Sequence, residues 1–199
     1  KFLPAIASGE ILAAFALTEA NAGSDAPALK TTAKKDGDSY VLNGTKQWIT
    51  NGENAQVYTV MAKTNPAKGS RGISAFIVEK GTEGFSFGKH EDKMGIRASS
   101  TTELIFQDCR IPAENLLVRE GMGLIVAINT FNYSRPGVGA QALGIAAGAF
   151  EDAVKYARER VQFGQAISSF QAIQHILADM ATEIEAARAL LYATARTID

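Results

Sequence analysis

The pattern of apolar and polar residues along this 199-residue chain changes near residue 120. Before that point, short apolar runs alternate with turn residues, which is typical of strands. The clearest runs predict strands at Val57–Lys63, Ile73–Glu79, Phe85–His90 and Glu103–Asp108. Their regular spacing predicts an antiparallel β-barrel or sandwich over residues 11–119.

Gly-containing dipeptides mark turns in the first part of the strand region. Tyr40-Val41-Leu42 leads into Asn43-Gly44, a strong signal for a hairpin turn, and Asp36-Gly37 marks the turn before it. Residues 1–10 are interpreted as the end of a helix that closes at Ser8-Gly9.

From Gly123 onward apolar residues recur every three or four positions, which predicts helices. One helix carries a stripe from Leu143 to Ala157, and a second starts near Ser169 with a stripe from Ile173 to Ala195. The short turn Phe163-Gly164-Gln165 predicts antiparallel neighbours. Two helices cannot bury these stripes against each other alone, so further helices are expected from sequence outside this chain or from another subunit. The predicted fold class is α+β, with a partial helical bundle after the barrel.

The composition is that of an ordinary globular protein, with 46% apolar residues, 21% charged residues and a net charge of −1. The charge does not favour a nucleic-acid surface, and no apolar run reaches the roughly 18 residues that span a bilayer. The start, Lys1-Phe2-Leu3-Pro4, resembles neither a signal peptide nor a natural N-terminus, so we expect a fragment or a processed chain.

Three residues with reactive or metal-binding side chains have ordinary structural explanations. Cys109 is the only cysteine, which favours a reducing compartment, and it lies at the end of a predicted strand. Only Arg110 would lower its pKa, so a structural thiol is favoured over a nucleophile. His90 and His175 lack a second ligand at metal-binding spacing, so no metal site is predicted.

Two polar segments are candidates for ligand binding. Residues Thr18 to Ser24 combine hydroxyls with a Gly, which can bind the polar edges and phosphates of a nucleotide, although a plain connecting loop is the simpler interpretation. Trp48 is followed by Ile49 and Thr50, an arrangement that suits a flat ring, although a Trp in the barrel core is the alternative. No GxGxxG or Walker pattern is present, so any nucleotide site is built differently.

The helical half contains three further motifs, each with a structural alternative. Arg160 through Gly164 is interpreted either as a helix C-terminus capped by Gly or as a diphosphate-binding group for a neighbouring subunit. Ser168 and Gln171 have the spacing of a capping box. Pro136, after Phe131–Arg135, predicts a kink or helix boundary, and Arg135 is expected in an ion pair rather than on a ligand.

Taken together, the motifs resemble the acyl-CoA dehydrogenase family of FAD-dependent flavoenzymes over essentially the whole chain. Ala20 is one departure, because the family commonly has Pro there, and it changes loop stiffness more than chemistry. The likeness is to bacterial-type short-chain and butyryl-CoA members in particular. The matching segments are Leu17–Asp25, Asn43–Gly52, Lys93–Ser100, Val161–Gln171 and Leu177–Met180.

The resemblance implies a domain organisation. Residues 1–10 would end an N-terminal helical domain, 11–119 would form a middle β-barrel, and 120–199 would be the first two helices of a C-terminal helical domain, in a protein about twice as long. The family usually forms homotetramers. The cofactor would be FAD, bound by Phe15, Leu17, Thr18, Gly23, Ser24, Trp48, Ile49 and Thr50, with Arg160, Gln162, Phe163 and Gln171 contacting the FAD of a partner subunit. Substrate contacts would come from Ser24, near the CoA diphosphate, and from Asn132, Tyr133, Ser134 and Arg135.

The implied reaction, in fatty acid metabolism, is α,β-dehydrogenation of an acyl-CoA thioester to the trans-2-enoyl-CoA. A carboxylate base removes the α proton, the β hydrogen leaves as hydride to the flavin, and electrons pass to an electron-transfer flavoprotein. Most members carry the base late in the C-terminal domain, and isovaleryl-type members carry a Glu where this chain has Ser134. The catalytic base is therefore expected beyond Asp199.

Two alternatives remain open from the sequence: a flavin oxidase or monooxygenase on the same scaffold, and a non-catalytic binding or assembly fragment. The compartment would be the bacterial cytoplasm or the mitochondrial matrix.

Overall fold

The computed structural model describes residues 1–198 and divides into two compact units, Lys1–Ile128 and a second that begins at Asn129. The helical domain predicted over 120–199 ends on Asp199, which lies outside the described residues. The boundary between the units falls within a long helix rather than in a linker.

A short helix and eight strands form most of the first unit. The helix α1 ends at Ala7, and Gly9 adopts a positive φ of 77°, which confirms the predicted helix end near Ser8-Gly9. The elements are α1 (Leu3–Ala7), β1 (Ala13–Ala16), β2 (Thr32–Asp36), β3 (Ser39–Thr50), β4 (Val57–Lys63), β5 (Ile73–Glu79), β6 (Phe85–His90), β7 (Thr101–Pro112) and β8 (Leu116–Leu117).

The eight strands belong to one sheet, with the order β6-β7-β3-β2-β4-β5-β8 and with β1 paired to β4. The α+β fold class is confirmed, and most neighbouring strands are antiparallel as predicted. The prediction is wrong for β1 and β4, which run parallel, and for the single pairing of β2 with β4. The parallel pairing is possible because a connection of some forty residues, containing β2 and β3, separates β1 from β4.

The sheet folds back around one apolar core. Tyr58 of β4 packs edge-on against Phe85 of β6, with ring centroids 4.8 Å apart, although three strands lie between them in the sheet order. The rings of Tyr40 of β3 and Phe76 of β5, with two strands between them in the sheet order, lie 4.9 Å apart and are tilted by 57°. Such contacts require the sheet to curve so that separated strands face each other across a shared interior, which is filled by Leu42, Val60, Leu104 and Ile111.

The three strands predicted at Val57–Lys63, Ile73–Glu79 and Phe85–His90 are confirmed, whereas the hairpin turn at Asn43-Gly44 is wrong. These two residues lie inside β3, at a register shift opposite β7. The turn predicted at Asp36-Gly37 is confirmed: Asp36 pairs with Ser39, and Gly37 and Asp38 connect them. The Asn43 side chain holds the shift by accepting a hydrogen bond from the Asp108 main-chain N–H at 2.8 Å. Gly44 is required because a Cβ there would lie 2.5 Å from the Thr31 hydroxyl oxygen.

Cys109 lies within β7, opposite Leu42, and its side chain is fully buried in the core. Burial raises the pKa of this thiol to about 11, because the thiolate would lose its hydration. The structure therefore supports the structural interpretation of Cys109.

We expect Cys109 to resist alkylation in the native protein. At pH 8 the raised pKa lowers the thiolate fraction about 100-fold relative to an exposed thiol, and burial blocks the reagent as well. Iodoacetamide labelling of the peptide that contains Cys109, measured by mass spectrometry with and without urea, checks this. Equal labelling rates in the two conditions would contradict it.

The second unit consists of two helices joined by a small hairpin. These elements are α2 (Gly123–Glu159, whose first residues belong to the first unit), β9 (Val161–Gln162), β10 (Gln165–Ala166) and α3 (Gln171–Ala195). The helices line a shared groove with a volume of about 820 Å³, with Gly139 beside Leu191 and with Phe150 and Met180 at the other end, so they are antiparallel as predicted. Among the described residues of α3 none is buried, in agreement with the prediction that the stripes need further helices.

Two structural interpretations for this unit are wrong, and so is one of the two outcomes predicted for Pro136. Helix α2 continues through Pro136, so no helix boundary lies there, and the alternative of a kink stays a prediction. Ser168 does not cap α3, because the helix begins after Phe170 without a side-chain cap. Gly164 does not cap α2 either, because Phe163 and Gly164 both have positive φ and form the two-residue turn between β9 and β10.

No helix within residues 1–198 has the length and apolar character needed to cross a membrane.

Candidate ligand site

Trp48 projects from the sheet instead of packing in it. Side chains alternate between the two faces of a strand, so Trp48 would lie on the core side with Leu42 and Lys46. A register shift between Lys46 and Ile49 reverses this alternation, and Trp48 lies on the outer side. Ile49 is consequently buried at 2% exposure, and the Trp48 side chain is 57% exposed. The alternative of a core Trp is therefore wrong.

The backbone of Trp48 is strained as well as exposed. Its φ is 56°, a left-handed conformation that is rare for a bulky residue. Such strain persists where the surrounding structure enforces it, and it concentrates at ligand-binding positions. The strand therefore holds an indole ring out of the core at a cost in backbone energy.

The loop after β1 lies against this part of β3. The Gln47 main-chain N–H donates to the Thr18 carbonyl at 2.9 Å, which brings Thr18 next to the register shift that exposes Trp48. Leu17 is buried and Thr18 half-buried, whereas Gly23 and Ser24 are exposed. A Cβ added to Gly23 would meet nothing within 4 Å, so open space lies beside the loop.

Sequence reasoning missed two residues that hold this arrangement, Glu19 and Lys46. Lys46 is fully buried, and its Nζ lies 2.7 Å from Glu19 Oε1. Burial would raise the pKa of Glu19, but the charge of Lys46 and hydrogen bonds from Lys46, Thr31 and the Lys30 N–H hold it below its ordinary value. Strand alternation places Lys46 on the same face of β3 as Tyr40 and Leu42. A lysine at such a core-facing position is the feature of the sequence that could have revealed the pair.

The exposed groups of the first unit suit a flat ring with polar edges. Trp48 offers an apolar face, and the hydroxyl of Thr50, two residues further on, offers a donor and acceptor. The Gln47–Thr18 hydrogen bond adds the loop that bears the hydroxyls of Thr18 and Ser24. Ile49 is in the core, so only its main-chain groups remain for a ligand, and Phe15 is half-buried. This set of groups fits a flavin.

The predicted substrate residues lie together in the middle of α2. Asn132, Tyr133, Ser134 and Arg135 are all exposed. Arg135 donates from Nη1 to Asn132 Oδ1 at 3.2 Å, and its guanidinium lies 5.8 Å from the Phe131 ring centre. The predicted ion pair of Arg135 is not found within residues 1–198, so its charge is available to an anionic ligand.

The predicted partner-facing residues surround the β9–β10 hairpin. Phe163 is at its tip, 93% exposed, and its only aromatic neighbour within residues 1–198 is Phe170, edge-on at 6.1 Å. Arg160 and Gln162 are exposed on the same hairpin region, and Gln171 is the exposed first residue of α3. An exposed ring on a tight turn is suited to insertion into another surface.

Two family models match the chain. Residues 14–109 match the model described as "Acyl-CoA dehydrogenase, middle domain", and residues 121–199 match "Acyl-CoA dehydrogenase, C-terminal domain". The chain belongs to the acyl-CoA dehydrogenase family.

Similar proteins agree with this assignment. The acryloyl-CoA reductase (NADH) of Anaerotignum propionicum is 57% identical over 96% of this chain and 49% of its own length. The structure of butyryl-CoA dehydrogenase from Megasphaera elsdenii is 53% identical with a TM-score of 0.92, over 96% of this chain and 50% of that one. A chain solved in work on the electron transferring flavoprotein of Acidaminococcus fermentans is 57% identical with a TM-score of 0.93, over 98% and 51%.

The chain thus spans about half the length of the relatives it matches. Acyl-CoA dehydrogenases are flavoproteins whose cofactor is FAD, which agrees with the predicted cofactor.

Proposed function

We propose that this chain supplies the flavin-binding and part of the substrate-binding surfaces of an enzyme that converts a short acyl-CoA thioester to its trans-2-enoyl-CoA. The observation that carries the proposal is the strained, exposed Trp48 beside Thr18 and Thr50. The names of the similar proteins refer to butyryl-CoA, which carries a saturated short acyl group, and to acryloyl-CoA, which carries an α,β-unsaturated one.

FAD, when bound, provides the two-electron acceptor for this oxidation. In the first unit, Phe15, Leu17, Thr18, Gly23, Ser24, Trp48, Ile49 and Thr50 would hold it, with Trp48 against the ring face and Thr50 hydrogen-bonding a ring edge. In the second unit, Arg160, Gln162, Phe163 and Gln171 would contact the FAD of a partner subunit in a homotetramer.

The acyl-CoA would lie along the middle of α2, where Asn132, Tyr133, Ser134 and Arg135 are exposed, with Ser24 near the CoA diphosphate. Arg135 can pair with an anionic part of the ligand, because no carboxylate within residues 1–198 neutralises it. Hydrogen bonds to the thioester carbonyl are required, because negative charge develops there as the α proton leaves.

The base that takes the α proton would come from outside these 199 residues. Ser134, at the alternative base position, has no useful basicity. Glu19 is the only buried acidic side chain among the described residues, and both of its oxygens accept hydrogen bonds. Its lowered pKa is the opposite of what a base near neutral pH needs.

We further propose an electron-transfer flavoprotein as the electron acceptor. The similar chain from the Acidaminococcus fermentans work supports this partner. The acryloyl-CoA reductase favours a second candidate, an enzyme that works in the reducing direction with NADH as the electron source. Three initial rates separate these candidates from a flavin oxidase. They are the rate with butyryl-CoA and electron-transfer flavoprotein, the rate with acryloyl-CoA and NADH, and the rate of oxygen consumption.

Trp48→Gly is expected to weaken FAD binding without lowering stability. Glycine adopts positive φ freely, which offsets its larger chain entropy, so the free energy of unfolding should change by less than about 1 kcal/mol. Loss of the ring contact should weaken FAD binding about tenfold or more. Flavin fluorescence titration and urea unfolding of the full-length protein measure the two effects.

Val118→Gly is the matched control, because Val118 is also exposed, has φ of 63° and follows β8 at the far end of the sheet order. It should leave FAD affinity unchanged. Equal FAD affinity of the Trp48→Gly variant and the unmodified protein would argue against the proposed site.

A further inference from the structure

Glu19 and Lys46 form an ion pair that the sheet surrounds almost completely. The Lys46 side chain is fully buried and donates to Glu19 Oε1 at 2.7 Å and to the Leu17 carbonyl at 3.1 Å. Glu19 Oε1 also accepts from the Thr31 hydroxyl at 2.5 Å, and Oε2 accepts from the Lys30 N–H at 2.6 Å. Every buried side-chain polar atom within residues 1–198 has a partner, so no side-chain nitrogen or oxygen of this cluster is left unpaired.

Such a pair is weak evidence for stability, because removing two charges from water costs about as much as their attraction returns. Well-packed apolar residues would hold the sheet together equally well. The better-attested role of a buried ion pair is to specify one arrangement of the chain over others.

The pair joins the two segments that bear the candidate flavin residues. Glu19 directly follows Thr18 in the loop after β1, and Lys46 precedes Trp48 by two residues in β3. The main-chain bond from Gln47 to the Thr18 carbonyl closes the same connection at 2.9 Å. Burial alternates along the loop: Leu17 and Glu19 face inward, so Thr18 between them faces the other way.

We propose that Glu19 and Lys46 are positioning residues for the flavin site, and that their buried ion pair fixes the loop of Thr18 against the strained turn of Trp48. This inference rests on the proposed FAD-binding function. Neither residue is available to touch a ligand, because Lys46 is fully buried and the Glu19 oxygens are occupied. They act through the main chain: Lys46 fixes the Leu17 carbonyl, and Glu19 fixes the turn that follows it, which closes through two hydrogen bonds with Ala22.

The test is the double variant Glu19→Gln/Lys46→Met in the full-length protein, which removes both charges and keeps side-chain size. Its apo form should unfold at a urea midpoint close to that of the unmodified apo protein. Its FAD dissociation constant should rise at least tenfold, and the visible absorption band of bound flavin should change shape, because the ring is held less uniformly. Flavin fluorescence titration and absorbance spectra measure both.

Tyr40→Phe is the matched control. Tyr40 lies at the opposite end of β3 and donates to Glu120 Oε1 at 2.5 Å, so losing its hydroxyl weakens the sheet away from the site. This variant should lower the urea midpoint and leave the FAD dissociation constant and flavin spectrum unchanged. A tenfold weaker FAD complex in the Tyr40→Phe variant would mean that loss of stability alone explains the effect, and would overturn the positioning role.

The remaining outcomes also decide. The folded double variant overturns the inference if its FAD affinity is within twofold of that of the unmodified protein and its flavin spectrum is unchanged. The proposed function then still stands. If the double variant does not fold, Glu19→Gln alone decides, with at least threefold weaker binding expected and unchanged binding overturning the inference. Failure of the unmodified protein to bind FAD instead refutes the proposed function itself.

Discussion

A purified protein of residues 1–199 alone is expected to oxidise butyryl-CoA at no more than background rate, even with excess FAD and an artificial electron acceptor. Ser134 is not basic, and the Glu19 carboxylate is committed to Lys46 and Thr31. A positioned general base typically contributes about 10²–10⁴-fold to the rate, so at least this factor should be lost. Dye reduction at saturating butyryl-CoA, compared with the full-length protein, is the measurement.

Ser134→Glu in the same 199-residue protein is an informative companion, because it introduces a carboxylate at the alternative base position. The flavin absorbance of each sample separates missing cofactor from missing base. Turnover by the unmodified 199-residue protein within tenfold of the full-length rate would show that the base lies within these residues after all.

Lys46→Met as a single change should be among the most destabilising substitutions in the first unit. It leaves the Glu19 carboxylate buried without its cation, and breaking a buried pair in this way costs about 3–5 kcal/mol. Urea unfolding at pH 7 measures the loss. Lys89→Met makes the same chemical change in the pair of the exposed Lys89 with the half-buried Glu91, 3.2 Å apart, and should cost no more than about 1 kcal/mol.

The pH dependence of the free energy of unfolding identifies the cause of the stability loss in the Lys46→Met variant. In the unmodified protein the pKa of Glu19 is lowered, so its stabilising contribution is present at neutral pH and is lost as pH falls through that value. The Lys46→Met variant loses the charge and the hydrogen bond of Lys46 that lower this pKa, so the pKa of Glu19 should rise relative to the unmodified protein, and protonation should relieve the penalty. The stability difference between the two proteins should therefore narrow as pH falls from 7 towards 4. A difference independent of pH would attribute the loss to packing alone.

The chain's local pattern was sufficient for much of this architecture. Alternating apolar runs defined β4, β5 and β6 to the residue, because each strand has its own hydrophobic signal and bounding turns. The three-to-four-residue repeat defined α2 and α3 for the same reason, and the motifs of β3 and the preceding loop identified the family and its cofactor. The domain boundary near residue 120 and the roles of the individual ligand residues stay predictions.

The local pattern failed where a distant residue decides the conformation. Asn43-Gly44 has the composition of a turn, but Asn43 is hydrogen-bonded to Asp108 on β7 inside the sheet, and Gly44 is needed there because Thr31 leaves no room for a Cβ. Pro136 lies within α2, so the helix boundary that was one of its two predicted outcomes is absent.

The sequence by itself determined which residues carry the candidate chemistry, because hydroxyls, the indole and the arginines are fixed by composition and spacing. Only the tertiary structure decided which way they face. A register shift against β7 turns Trp48 outward, and Lys46 meets Glu19 from 27 positions away. Both depend on how strands distant in sequence pair, and such pairing leaves no periodic signal in the chain.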